Sequence, residues 1–167
     1  MKNRYDIHRM IYDKNDERGM MMATISYVDD FSSWVQSFSF SIPIKVRFSD
    51  TDAYGHLNNT KVFVYFEEAR IEFLKKINLF SFNMPTMLVV RDMQCDYLQE
   101  VFFDDQLTVY CKVGDIGRTS VDLHYMAKNE KGEVVLTARG RLVQLSKETK
   151  RPFSWPKSIK NQLSSFL

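Results

Sequence analysis

Hydrophobic and polar residues alternate along most of this chain from position 42 onward, and a period of two predicts β-strands. The first strand is predicted at 42–48, where the apolar positions are Ile42, Ile44, Val46 and Phe48. The same reasoning predicts four later strands, at 86–98, 106–113, 121–128 and 133–145. Residues 129–132 contain the Asn and Gly typical of a hairpin turn between the last two strands.

Between the first two predicted strands the apolar period changes to that of a helix. Residues 60–77 carry apolar side chains every three or four positions, and Glu72 and Lys76 are spaced as a favourable helical ion pair. A short helix is predicted up to Phe38, capped by Asp29 or Asp30, and another from Ser158. The apolar positions of the long helix are Val62, Phe63, Phe66, Ala69, Phe73, Leu74 and Ile77.

The order of one strand, a long helix and four strands predicts an α+β fold in which an antiparallel sheet wraps the helix. We divide the chain into an N-terminal extension with a short helix (1–40), a main domain (41–150) and a C-terminal tail (151–167). Residues 1–22 are expected to be a mobile extension, unless the natural start is Met20, Met21 or Met22. Few helices remain to cover the other sheet face, which favours a symmetric dimer.

Composition excludes several classes of protein. The 23 basic and 21 acidic residues are nearly balanced, which argues against a dedicated nucleic-acid binder. No apolar run is long enough for a membrane span and the N-terminus is unlike a secretory signal, so a cytoplasmic location is expected. Cys95 and Cys111 are expected to be reduced, buried thiols rather than a disulfide or a ligand pair, and no metal site is predicted.

The segment 46–70 carries the candidate chemistry. A strand ends in two carboxylates, and a glycine turn, an imidazole and two carboxamides precede a long helix. The N–H groups at a helix N-terminus stabilise negative charge, so this set suits acyl transfer. The alternative is structural, because Asp, Asn and Gly form turns and caps, and Asp50 has Arg47 as a neighbouring partner. The residues are Asp50, Asp52, Gly55, His56, Asn58 and Asn59.

The runs DTDAYGHLNN and YFEEAR resemble the signature of hotdog-fold thioesterases of the 4-hydroxybenzoyl-CoA thioesterase-like branch, over residues 40–147. The resemblance implies about five antiparallel strands around one long helix. It also implies hydrolysis of an acyl-CoA or acyl-carrier-protein thioester without cofactor or metal. The implied assembly is a homodimer or homotetramer, with sites formed between two subunits.

The resemblance also implies roles for individual residues. Asp52 would be the general base or the nucleophile, with His56 and Asn58 beside it and the Asn59 N–H as oxyanion donor. His56 has an alternative role as a brace of the turn. The turn containing Arg118, Thr119 and Ser120 would hold the pantetheine and phosphates from the other subunit. Tyr54 and Phe66 would also bind the substrate. Other aromatic residues would line an acyl pocket together with Phe66 or form ordinary core, and they are Phe63, Tyr65, Phe73, Phe80 and Phe82.

Two other functions compete with thioester hydrolysis. A hotdog dehydratase or hydratase would use an Asp and a His in a D-x-x-x-x-H spacing, whereas Asp52 and His56 are four positions apart. A non-catalytic acyl-thioester binding module would not need the carboxylate. Glu67 and Glu68 are expected to be a solvated or dimer-facing pair rather than catalytic groups.

Overall fold

The computed structural model describes residues 25–167, so the expectations for residues 1–22 lie outside the described residues. Three helices and five strands follow one another along this part of the chain. In order they are α1 (Phe31–Gln36), β1 (Ser41–Lys45), α2 (Val62–Lys76), β2 (Thr86–Tyr97), β3 (Gln106–Ile116), β4 (Ser120–Lys128), β5 (Val134–Ser146) and α3 (Lys157–Ser164).

The five strands form one antiparallel sheet in the order β1-β3-β4-β5-β2, which confirms the predicted α+β class. Helix α2 packs on one face of this sheet, where Phe66 and Phe73 are fully buried. Burial of these rings and of the facing strand residues supplies the main hydrophobic core. The sheet therefore wraps a single apolar helix, as the hotdog resemblance implies.

Successive side chains of β4 point to opposite faces of the sheet, so the strand contributes to two separate apolar clusters. Leu123 and Tyr125 belong to the core under α2, whereas Met126 lies in a second cluster on the opposite face. Helix α1 covers that second cluster, and Trp34 donates a hydrogen bond from Nε1 to Nδ1 of His124 at 3.0 Å. Burial, together with the charge of nearby Lys112, lowers the pKa of His124 to about 4, so this imidazole is neutral at pH 7 and can accept the bond.

The predicted short helices are confirmed. Asp30 caps α1 through a hydrogen bond from the Ser33 N–H to Oδ1 at 2.7 Å. Helix α3 begins at Lys157, one residue before the predicted start. Both cysteines are free, Cys111 buried and Cys95 partly buried. No helix within residues 25–167 is long and apolar enough to cross a membrane.

Two local predictions are wrong. Strand β1 ends at Lys45 rather than at position 48, because the chain turns into a 3₁₀ segment at Phe48–Asp50, which leaves Phe48 77% exposed. The Glu72 carboxylate pairs with Lys75 at 2.7 Å and not with Lys76. Residues three and four apart are both neighbours on a helix, so spacing alone did not decide between the two lysines.

Candidate active site

The DTDAYGHLNN run folds into a closed loop between the 3₁₀ segment and α2. The N–H of Asn58 donates to the carbonyl oxygen of Asp50 at 2.8 Å, and the N–H of Asp52 donates to that of His56 at 2.8 Å. Gly55 has a φ of 81°, a conformation that a residue with a Cβ adopts only with strain. These main-chain bonds fix the loop and therefore the side chains that it carries.

Asp52 lies half-buried within this loop. Its Oδ1 accepts hydrogen bonds from the N–H groups of Tyr54 at 2.8 Å and His56 at 3.2 Å. Its Oδ2 accepts no hydrogen bond from any described residue. One carboxylate oxygen is thus held in place, and the other can receive a proton from a water or contact a substrate atom.

His56 contributes to the loop in two ways. Its main-chain N–H and carbonyl oxygen both form hydrogen bonds with Asp52. This is the bracing role that the sequence offered as the alternative to catalysis. Its imidazole packs edge-on against Phe102, with ring centroids 4.9 Å apart, and Nε2 lies 3.8 Å from Oε1 of Glu100. The ring remains accessible, since 39% of the side chain is exposed.

The two asparagines that follow have different surroundings. Asn58 stabilises the turn before α2, because its Oδ1 accepts from the N–H of Thr60 at 2.9 Å and from the Thr60 hydroxyl at 2.7 Å. It is not the helix cap that the structural alternative expects, since the N-cap of α2 is Lys61, which makes no side-chain capping bond. The carbonyl oxygen of Asn59 accepts from the hydroxyl of Tyr97 at 2.6 Å. The N–H of Asn59 donates to no described residue, so it remains available to an oxygen atom of a ligand.

A cavity of about 120 Å³ lies beside these groups. His56 and Asn59 line it from the loop, together with Val62 of α2, whereas Asp52 is not part of its lining. Sequence reasoning did not select Tyr97 and Glu100, which line the opposite wall with Gln99 and Leu136. The only indication of Tyr97 and Glu100 in the sequence is the group of polar residues at the end of the predicted strand 86–98. Their contact with the loop at 50–59 joins distant parts of the chain, so no local pattern predicts it.

Asp50 pairs with Arg47, the partner expected from the sequence. Its Oδ2 accepts from Nε of Arg47 at 2.9 Å, and the carboxylate is buried, with 2% of the residue exposed. Burial alone would raise its pKa, but hydrogen bonds from Arg47 and Tyr65 outweigh that effect and lower the pKa below its ordinary value. Asp50 is therefore a charged anchor and not a free acid or base.

The aromatic candidates divide between core and surface. Phe66 is fully buried and packs on Tyr125, with ring centroids 5.1 Å apart, whereas Tyr54 is 87% exposed. A second cavity of about 410 Å³ lies between the second half of α2, the loop after it and β2. Phe80 and Phe82 line this cavity, while Tyr65 and Phe73 join Phe66 in the core.

The β3–β4 turn lies far from the loop within one chain. Ser120 pairs with Val143 on β5, and Leu136, which lines the smaller cavity, pairs with Tyr97. Seven residues of strand separate Leu136 from Val143, which is about 23 Å at roughly 3.3 Å per residue. One copy of the chain thus does not bring Arg118, Thr119 and Ser120 to Asp52.

Comparison with known proteins identifies the family of the chain. Residues 46–163 match the family model of the thioesterase-like superfamily. The chain is 44% identical over 139 residues to YsmA of Bacillus subtilis (strain 168), an uncharacterized protein, and the match covers 83% of this chain and 95% of that one. It is 30% identical over 129 residues to the acyl-CoA thioesterase YbgC of Haemophilus influenzae, covering 72% of this chain and 91% of that one.

A solved structure gives the same result for the fold. The structure described as a predicted thioesterase from Bacillus stearothermophilus superposes with a TM-score of 0.70 at 32% identity, covering 77% of this chain and 96% of that one. The family match includes the DTDAYGHLNN loop, α2 and all four long strands. The chain therefore belongs to the thioesterase-like superfamily, and it is a hotdog-fold thioester hydrolase of the 4-hydroxybenzoyl-CoA thioesterase-like branch.

Proposed function

We propose that the chain hydrolyses acyl-CoA thioesters, with Asp52 as the group that activates the attacking water. The observation that carries this proposal is the state of the Asp52 carboxylate, which has Oδ1 fixed by two main-chain N–H groups and Oδ2 without a partner among the described residues. The name of the YbgC relative, an acyl-CoA thioesterase, supports a coenzyme A thioester as the substrate.

The reaction needs a base, an oxyanion site and a leaving thiol. Water attacks the thioester carbonyl while its proton passes to Asp52, and the oxygen of the tetrahedral intermediate receives a hydrogen bond from the Asn59 N–H in the turn that leads into α2. The C–S bond then breaks, and the thiolate of coenzyme A takes the proton back from Asp52. The products are a free carboxylic acid and the thiol.

The neighbouring polar groups support this chemistry. The Tyr97 hydroxyl fixes the main chain at Asn59, so the oxyanion donor is held before the substrate arrives. The His56 imidazole, at the wall of the smaller cavity, polarises the carbonyl or orients the water next to it. Asn58 keeps the helix start in place through its bonds to Thr60.

We further propose that the working unit is a dimer. Arg118, Thr119 and Ser120 are about 23 Å along the sheet from the smaller cavity at roughly 3.3 Å per residue, so in one chain they cannot hold a substrate that reaches Asp52. A second copy can bring its β3–β4 turn to this loop, and Arg118 is exposed there with a guanidinium suited to a phosphate. Tyr54, which is exposed on the loop, would contact the same substrate.

The test is release of free thiol from acyl-CoAs of graded chain length, aromatic ones included. The wild-type protein is expected to release thiol, and Asp52→Asn is expected to lower kcat about 10²- to 10⁴-fold, the range for loss of a general base. Asp104→Asn, which changes an exposed carboxylate in a neighbouring loop, serves as the matched control and should keep its activity. Wild-type turnover in Asp52→Asn would refute the assignment of the base.

A further inference from the structure

The buried Asp50 carboxylate connects the active-site loop to helix α2. Its Oδ2 accepts from the Tyr65 hydroxyl at 2.8 Å, in addition to Nε of Arg47 at 2.9 Å and the N–H of Arg47 at 3.4 Å. Three donors on one oxygen compensate for removing this charge from water. Since Arg47 is largely exposed, Tyr65 is the partner that fixes the carboxylate to the interior.

The main chain of the same residue closes the base of the loop. The carbonyl oxygen of Asp50 accepts from the N–H of Asn58, the residue before the proposed oxyanion donor. On the other side, Asp52 follows Asp50 by two positions, and Thr51 is bridged to Leu57. A shift of Asp50 would therefore move the proposed base and the proposed oxyanion site relative to each other.

Tyr65 is well suited to hold Asp50. It lies in the first turns of α2 with 1% of its surface exposed, and Asp50 is the hydrogen-bond partner of its hydroxyl. Burial, with the adjacent carboxylate, raises the pKa of Tyr65 above its ordinary value, so the hydroxyl is protonated at neutral pH and can donate to Asp50. Another core tyrosine, Tyr125, is equally buried, but its hydroxyl makes no hydrogen bond to the active-site loop.

We propose that Tyr65 and Asp50 form a positioning pair, in which the Tyr65 hydroxyl holds Asp50 and thereby sets Asp52 against the Asn59 N–H. Neither residue touches the substrate. The proposal rests on the proposed function, because it takes Asp52 and Asn59 as the reacting groups. In this proposal Asp50, the first carboxylate of the D-T-D turn, contributes to catalysis only by fixing the positions of the reacting groups.

The test compares Tyr65→Phe with Tyr125→Phe, since each removes one buried hydroxyl from the core. Tyr65→Phe is expected to lower kcat for an acyl-CoA about tenfold with KM changed less than about twofold, because a misplaced base loses rate and not binding. Amide hydrogen exchange in residues 51–58 should become faster in Tyr65→Phe only. Tyr125→Phe should match the wild-type protein in kcat and in exchange.

The outcomes separate this proposal from the proposed function. If the wild-type protein and Asp52→Asn behave as proposed but Tyr65→Phe keeps full kcat and wild-type exchange, the positioning pair is refuted and the thioesterase mechanism stands. If Tyr125→Phe shows the same losses, the effect is general loosening of the core and the pair is also refuted. If Asp52→Asn is fully active, the proposed base is refuted and the catalytic role of the pair with it, and faster exchange confined to Tyr65→Phe would then show only that Tyr65 holds the loop.

Discussion

Asp50 and Asp52 have the same side chain two positions apart, and their surroundings give them different chemistry. Asp50 is buried with three hydrogen-bond donors on one oxygen, whereas Asp52 is half-buried with one oxygen unoccupied by any described residue. The sequence predicted that this turn carries the site and offered Arg47 as a partner of Asp50. The sequence did not predict Tyr65 as the second partner of Asp50. The position of a tyrosine on an aromatic helix face does not indicate which atom its hydroxyl contacts.

The lowered pKa of Asp50 predicts a pH-dependent contribution to stability. A carboxyl group whose pKa is lower in the folded than in the unfolded state stabilises the fold above the unfolded pKa, near 4, and loses that contribution as the pH falls through the folded value. Asp50→Asn is therefore expected to lower the thermal midpoint at pH 7, and the difference from wild type should shrink below about pH 4. Asp29→Asn, at an exposed position, serves as the control for removing a carboxylate, and a difference for Asp50→Asn that stays constant down to pH 2 would contradict the prediction.

Among the elements, α1 shows most clearly what pattern reasoning can and cannot provide. The helical spacing of Phe31, Trp34, Val35 and Phe38 predicted the helix, with Asp29 or Asp30 as its cap. The sequence did not predict the strand on which the helix docks. That contact joins Trp34 to His124, ninety positions later, and no local pattern encodes it. The strands were predicted well because alternation is local, whereas the turn at Phe48 was missed because Phe48 continues the alternation and yet is exposed.

Helix α1 depends on its docking against the sheet. A helix of six residues does not persist alone in water, so its stability comes from burial of Trp34 on the outer sheet face. Trp34→Ala is expected to lower the free energy of unfolding by about 3 kcal/mol in urea denaturation, the lower end for loss of a buried tryptophan. Gln36→Ala on the exposed side of the same helix should change it little, and thioesterase activity should remain, since α1 and α2 lie on opposite faces. A loss below about 1 kcal/mol for Trp34→Ala would show that α1 is not held by this residue.

The two edges of the sheet are unequal. Strand β1 is short and contains Pro43, whereas β2 runs for twelve residues with Val89 and Val90 exposed. The edge of β2 is long enough to pair with a second copy, although the charged Arg91 and Asp92 and a register shift interrupt it next to Val89 and Val90. The sequence favoured a dimer for a different reason, the uncovered sheet face, but α1 and its cluster cover part of that face.

A site shared between two copies can be tested by mixing two inactive variants. Asp52→Asn removes the proposed base and Arg118→Ala the proposed phosphate contact, so homodimers of either variant are expected to have a low kcat/KM. In a mixed dimer, the Asp52 of one chain meets the Arg118 of the other at one site, while the second site lacks both groups. An equal mixture that exchanges subunits freely forms about one-half mixed dimers, so we expect recovery to about one-quarter of the wild-type kcat/KM. If mixing restores nothing although subunit exchange is demonstrated, Asp52 and Arg118 do not act together across a dimer interface.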